Sequence, residues 1–243
     1  MNLVVTAGGT LAPIDDVRAI TNASTGRTGA MITEAALRKG CRVWHLASPL
    51  AERPFTRLAT FDLATENPEA EFHRLEALRG EFQSQSDRLH PVDLNPGTVA
   101  NYAEALERTL RSHPIDVAFL AMAASDFAPS PVAGKIRSDL ETLTIECQRL
   151  PKVITQVRDW SPTSYLVGFK LLVNVSTAEL IERAREACLE NRADVTVAND
   201  LRTVREGRHV LHLVRPGRPV ETLEPGKDLA ERLVERVLTW ARS

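Results

Sequence analysis

The residues best suited to chemistry fall into four short polar clusters, each placed just behind an apolar run of strand character. They are Gly8-Gly9-Thr10, Ser125-Asp126-Phe127, Phe169-Lys170 and Asn199-Asp200. Paired glycines let backbone N–H groups approach phosphate oxygens with no Cβ in the way, and Ser24-Thr25-Gly26 at a helix start offers a second anion site. Asp126, a carboxylate at a strand end, can hold Mg²⁺ carried on a polyphosphate, because Mg²⁺ takes one or two carboxylates plus phosphate oxygens. Lys135, beside Gly134, can neutralise charge that develops on a phosphate during displacement. Each feature alone also fits a tight turn, a cap or a solvated lysine. The case for chemistry therefore rests on convergence: if the four strands share one parallel sheet, the clusters meet along one rim.

The elements that must position these residues follow from the hydrophobic pattern. An apolar run at residues 3–5 enters the Gly8-Gly9-Thr10 turn, yet the next periodic helix starts only near Gly26, and Pro13 blocks an earlier one. Connections of that length inside a compact domain are mostly functional or disordered, and the placed Ile14, Val17, Ile20 and turn-forming Asn22, Ser24 and Gly26 speak against disorder. Ala30, Met31, Ala35, Ala36 and Leu37 then recur at helical spacing up to a Lys39-Gly40 stop, and residues 41–47 read as a second strand. Residues 50–87 are less legible; a helix fits 70–78, and no function is drawn from them. A short strand at 89–92 and a helix at 99–111 precede the near-continuous apolar run 116–122, which suits a strand buried on both faces. Residues 129–150 read as a flap or arm with a half-exposed strand at 143–147. Pro151 opens a helix running to Trp160. Strand 165–169, helix 177–191, strand 194–198, a hairpin within 209–223 turning on Pro216-Gly217, and an amphipathic helix at 228–240 complete the chain. The expected class is α/β: a Rossmann-like, doubly wound, mostly parallel sheet with helices on both faces, a flap and a C-terminal hairpin, in one domain over residues 1–243.

Composition narrows the function classes. The 243 residues carry 30 basic and 32 acidic side chains, a net charge of -2, which gives no general electrostatic reason to bind nucleic acid or membrane. The three cysteines, Cys41, Cys147 and Cys188, form no ligand pattern, and Met1 runs straight into a strand with no room for a signal peptide, so a cytoplasmic protein is expected. The Gly-x-Gly-x-x-Gly fingerprint is absent, and Gly134-Lys135 is followed by Ile136, unlike a P-loop. No nucleophilic triad or histidine ligand spacing is evident. A short-chain reductase would need a Lys four residues after a Tyr; here Tyr102 is followed by Leu106 and Tyr165 by Phe169. A reductase on a similar sheet and a non-catalytic nucleotide sensor stand as the competing readings.

Taken together, TAGGTLAPIDDVRAITNASTGRTG, AMAASDFAP, GKIRS, LPKVI, LVGFKLL and ADVTVANDL resemble the phosphopantothenoylcysteine synthetase family, the phosphopantothenate–cysteine ligases of coenzyme A synthesis. The pieces occur in the family's order over nearly the whole chain, and their form is similar to the free-standing bacterial members, with no flavin-dependent decarboxylase segment expected before Met1. The resemblance implies a two-step ligation. The carboxylate of 4'-phosphopantothenate attacks the α-phosphate of CTP or ATP, releasing pyrophosphate, and the amine of L-cysteine then displaces the nucleotide. Carried over residue by residue, Asn22 corresponds to the catalytic asparagine that orients or polarises the acyl carbonyl, and Lys135 to the flap lysine of activation. Asp126 corresponds to the acidic residue at the nucleotide, with Mg²⁺ held through the phosphates; Ala123 and Ala124 supply backbone contacts, and Phe169 lies beside the nucleotide. The phosphate turn Gly8, Gly9 and Thr10 joins the nucleotide set. Arg18, Arg27, Ser24 and Gly26 are added as candidates for the substrate phosphate, the two arginines on charge and loop position alone. A homodimer is implied, its arm covering a neighbour's site. The Pro-Asp-Ile segment common in bifunctional relatives is Pro151-Lys152-Val153 here, and Ala187 and Asn191 stand where those carry nucleotide-facing lysines. That departure leaves CTP against ATP open.

Overall fold

The computed structural model describes residues 1–139 and 141–243; Leu140, within the expected arm, lies outside the described residues. In chain order the strands are β1 (Asn2–Ala7), β2 (Leu11–Pro13), β3 (Ala19–Thr21), β4 (Arg42–Ala47), β5 (Leu89–Asp93), β6 (Val117–Leu120), β7 (Phe127–Pro129), β8 (Cys147–Arg149), β9 (Tyr165–Leu172), β10 (Val195–Asp200), β11 (Leu211–Val214) and β12 (Glu221–Leu223). The helices are α1 (Arg27–Arg38), α2 (Pro68–Gln83), α3 (Val99–Ser112), α4 (Val157–Trp160), α5 (Thr177–Glu190), α6 (Leu201–Arg205) and α7 (Leu229–Trp240). Local sequence explains their ends. Gly40, at φ +79, closes α1 through its N–H to Leu37 O at 2.9 Å, and Cys41 N–H reaches Ala36 O at 3.0 Å. Thr98 and Asn101 form a capping box at the start of α3, and Ser176 caps α5 through the Glu179 N–H.

Eight strands form one sheet in the order β12-β11-β10-β9-β6-β1-β4-β5. The six strands from β10 to β5 run parallel, and the C-terminal hairpin β11–β12 adds antiparallel to β10. Strand order reverses at β1, between β4 and β6, so a crevice opens at the carboxyl ends of β1 and β6. The doubly wound sheet read from the sequence is thus the observed one. Alternation along the strands sends side chains to opposite layers. Leu3, Val5, Val117 and Phe119 pack under α1 and α7, whereas Val4, Ala118 and Leu120 pack with residues of α3, α4 and α5. Phe119 is 0% exposed at the centre of the sheet.

Three expectations shift. The alternating run 143–147 gives no strand at 143–146; instead β8 starts at Cys147 and pairs antiparallel with β7, in register Phe127↔Arg149. Alternation marks a strand only where a partner edge is available, and β7 offers three residues. The helix expected from Pro151 is a 3-10 turn over Val153–Gln156 followed by the four residues of α4. The long opening loop contains a hairpin, β2 with β3, which the sequence pattern did not reveal.

Candidate active site

The site is built on the link between β1 and β6. Beyond the ladder, Gly9 and Ala123 form a parallel bridge, with Ala123 N–H donating to Gly8 O at 2.8 Å and Thr10 N–H to Ala123 O at 3.2 Å. Thr10, fully buried, accepts from the Ser125 N–H through its hydroxyl at 2.9 Å. From this anchored base β2 and β3 rise and return, delivering Asn22 to the rim, where its carboxamide Nδ2 donates to Ala123 O at 2.9 Å. Glycine is required at position 9, because a Cβ there would lie 2.7 Å from the backbone oxygen of Asn22.

A cleft of about 730 Å³ opens on this rim. Asn22 and Ser24 line one side, Ala123, Ala124 and Asp126 the floor, and Phe169 and Lys170 the next strand over. Two of the four clusters read from the sequence therefore converge on the cleft, through Ser125 and Asp126 and through Phe169 and Lys170, with Asn199 of a third also on the wall. Asp200 turns away to cap α6; the N–H of Arg202, with those of Asn174 and Val175, holds its carboxylate below the usual range. The far wall carries an ion pair the sequence reading missed, Lys152 Nζ to Glu190 Oε1 at 2.9 Å, whose hydrogen bond keeps the Glu190 carboxyl low. Only spatial proximity brings those two together, 38 residues apart.

The remaining candidates stand outside the lining. Gly8, at φ +94, has its Cβ direction filled by Ser48 Oγ at 2.1 Å and Ala51 Cβ at 2.8 Å. Packing thus sets glycine at 8 and 9, and Gly8, Gly9 and Thr10 stand behind the residues that line the cleft. Gly26 is buried at the start of α1, where a Cβ would meet Ala51 at 2.7 Å, and Arg27 is exposed as the first residue of that helix. Arg18, offered for a substrate phosphate, is engaged elsewhere: Nε donates to Asp15 Oδ2 at 2.9 Å and an Nη to Ile136 O at 2.6 Å. Lys135 sits on the exposed arm and is absent from the cleft lining.

Among the described residues no cluster of three His, Cys, Asp or Glu side chains could hold a metal ion. A lone exposed carboxylate on the cleft floor, Asp126, fits a Mg²⁺ that arrives on phosphates and does not fit a protein-caged ion. Among the described residues no helix is long and apolar enough to cross a membrane.

Comparison with known proteins identifies the framework. The family model described as "DNA/pantothenate metabolism flavoprotein C-terminal domain" matches residues 1–71 and 85–240. The chain belongs to this family. Human phosphopantothenate–cysteine ligase is 30% identical to it over 268 residues, covering 97% of this chain and 84% of the human protein. The coenzyme A biosynthesis bifunctional protein CoaBC of Thermococcus kodakarensis is 31% identical, over 97% of this chain and 50% of the relative. The chain thus spans about half the length of the archaeal bifunctional relatives it matches, at 50% and 51%. Among solved structures, the DNA/pantothenate metabolism flavoprotein of Streptococcus pneumoniae superposes with a TM-score of 0.77 at 27% identity, covering 99% of both chains. A Cab2 variant in complex with phosphopantothenate-cysteine shares the fold, with a TM-score of 0.82 at 20% identity over 99% of this chain and 86% of the other. Lys152, Ala187 and Asn191, the positions at which the sequence resemblance breaks, all sit on the cleft wall.

Proposed function

We propose that this chain ligates 4'-phosphopantothenate to L-cysteine through an acyl-nucleotide formed from CTP or ATP, releasing pyrophosphate and the nucleoside monophosphate. The observation that carries the reading is the Asn22 carboxamide, delivered by the β2–β3 hairpin to Ala123 across the crevice between β1 and β6. Family membership supports the same reaction, and the relatives' names speak for a ligase and not for the reductase or sensor weighed from the sequence.

In the first step a carboxylate oxygen of the substrate bonds to the α-phosphorus as the bond to pyrophosphate breaks. In the second the cysteine amine bonds to the acyl carbon, the nucleotide leaves with the electron pair, and the ammonium proton is lost. Neither step needs an enzyme nucleophile; both need charge stabilised and reactants aligned. Asn22, free to swing from Ala123 O, orients the acyl carbonyl. Asp126 would hold Mg²⁺ on the nucleotide phosphates, the ion supplying charge neutralisation when bound. Phe169 packs beside the nucleotide, and the Ala123 and Ala124 backbone meets its base or ribose. Lys135 reaches the phosphates from the arm during activation, and Ser24 leads the phosphate site for the substrate, with Gly26 supporting the loop. The neighbouring Arg27 is a second-rank contributor, as is Arg18, whose guanidinium is already engaged. The same proposal has the chain act as one domain with its arm over residues 129–150, as a homodimer, in the cytoplasm.

The test is direct. Purified protein given 4'-phosphopantothenate, Mg²⁺ and CTP or ATP is expected to release pyrophosphate, then to form the cysteine adduct when L-cysteine is added. Absence of pyrophosphate with both nucleotides defeats the reading.

A further inference from the structure

The β2–β3 hairpin has two working ends. Its base presents Asn22, and its turn, residues 14–18, grips the arm. Val132 N–H donates to Ile14 O at 2.9 Å. Asp16 and Gly134 exchange two bonds, Asp16 N–H to Gly134 O at 3.1 Å and Gly134 N–H to Asp16 Oδ2 at 3.0 Å. Ile136 is held at both of its backbone groups, its N–H by Asp15 Oδ2 at 3.0 Å and its carbonyl by Arg18 at 2.6 Å. Lys135 lies between these two pinned residues.

We propose that Asp15 and Arg18 are positioning residues, which through the backbone of residues 134–136 set where Lys135 stands relative to Asn22. The inference rests on the activation role given to Lys135 above. Asp15 suits this role, since its side chain is fully buried and also accepts from the Val17 and Arg18 N–H groups at 3.0 and 2.8 Å and from Arg18 Nε. Burial alone would raise its carboxyl, but the donors of Ile136, Val17 and Arg18 together outweigh burial and hold it well below the usual carboxylate range. A buried carboxylate with donors from two segments ties them together, because losing one segment leaves charge uncompensated. The hairpin is three residues long on each side, roughly 10 Å, so one short rigid element spans from the Asn22 amide to the arm. A further link follows for Arg18: its guanidinium acts through the arm, which accounts for the engagement that takes it from the open cleft.

The experiment compares Asp15→Asn, Lys135→Ala and the double variant in pyrophosphate release without cysteine, alongside amide hydrogen exchange of the full chain. Asp15→Asn is expected to lower kcat for pyrophosphate release on the order of 10- to 100-fold with little change in nucleotide KM, the size that small misplacement of a group produces. The double variant is expected to be no slower than Lys135→Ala, and the Ile136 N–H to exchange faster in Asp15→Asn. Asp16→Ala, which removes one exposed carboxylate, guards against misfolding: it is expected to loosen the Gly134 N–H and slow release by a few-fold. Additive losses in the double variant, full activity in Asp15→Asn, or unchanged exchange at Ile136 each overturn the proposal. Full activity in Lys135→Ala removes the role of Lys135 and this inference with it, whereas a slow Lys135→Ala beside a normal Asp15→Asn overturns the clamp alone.

Discussion

Two strands of the sheet hand the chain to long excursions, and they are used in opposite ways. Residues 8–26, after β1, are drawn into the crevice and bonded at both ends, to Ala123 at the base and to residues 132–136 at the tip. Residues 48–88, after β4, start against the first excursion, with Ser48 and Ala51 beside Gly8 and Gly26, then lead to the sheet's edge and carry α2, which has no buried residue along its 16 positions. Leu63 and Phe72 there are 93% and 63% exposed. The family model makes the same division, spanning the first excursion whole and omitting residues 72–84 of the second. Excursion length is thus no guide to function by itself. What separates the two is whether the excursion leaves at the point where strand order reverses, since only there does a crevice await it.

The strongest way to break the comparison is to remove the group the first excursion delivers. Asn22→Ala is expected to slow amide formation by roughly 100-fold or more, the range for losing one oriented polar group at an acyl centre, while pyrophosphate release and nucleotide affinity change little. Single-turnover measurement of the two steps separates them. An equal loss in both steps would reduce Asn22 to a strut for Ala123.

A subtler break acts through the backbone. Gly9→Ala puts a Cβ within 2.7 Å of the Asn22 backbone oxygen, and a backbone atom cannot swing aside as a side chain would. The expected outcome is a stability loss of about 1–3 kcal/mol from overpacking, with activity falling further than stability because the atom displaced belongs to Asn22. Thermal melts and turnover on the same sample check this. Full activity would mean that the hairpin base tolerates a shift and that the excursion is less tightly coupled than its bonds imply.

The sequence disclosed these two excursions unequally. The strands and the larger helices were legible because burial imposes periodicity: 117–122 is apolar throughout since β6 is covered on both faces, and α1 shows its stripe since Ile32, Ala35 and Ala36 face the sheet. Once the strands were known to be parallel, the convergence of Asp126, Phe169 and Asn199 followed from topology. The hairpin was hidden because β2 and β3 are three residues each, and β3 is exposed throughout, so no buried face writes a pattern into Ala19-Ile20-Thr21. Asp15 was hidden for another reason. Besides its local partners Val17 and Arg18, its partner on the arm is the backbone N–H of Ile136, 121 positions away, and a hydrogen bond to a backbone leaves no mark on the identity of the residue that supplies it. The pairing of Lys152 with Glu190 is illegible on the same ground of distance, although each residue is plain in the sequence.

The gentlest test concerns the second excursion. Gly80 lies inside α2, and a Cβ there meets nothing within 4 Å, in contrast to the crowded position 9. Its backbone is helical, so alanine needs no change of conformation and removes entropy from the unfolded chain. Gly80→Ala is therefore expected to stabilise the protein by about 0.5–1 kcal/mol, with turnover unaltered. If α2 is an appendage that melts separately from the sheet, the gain appears as slower amide exchange within residues 68–83 and leaves the global melting temperature unmoved. A rise in the global melting temperature instead ties α2 to the core through the partly buried Leu78 and the Phe55–Phe82 contact. A change in turnover would place the second excursion within reach of the site, and the contrast between the two would fail.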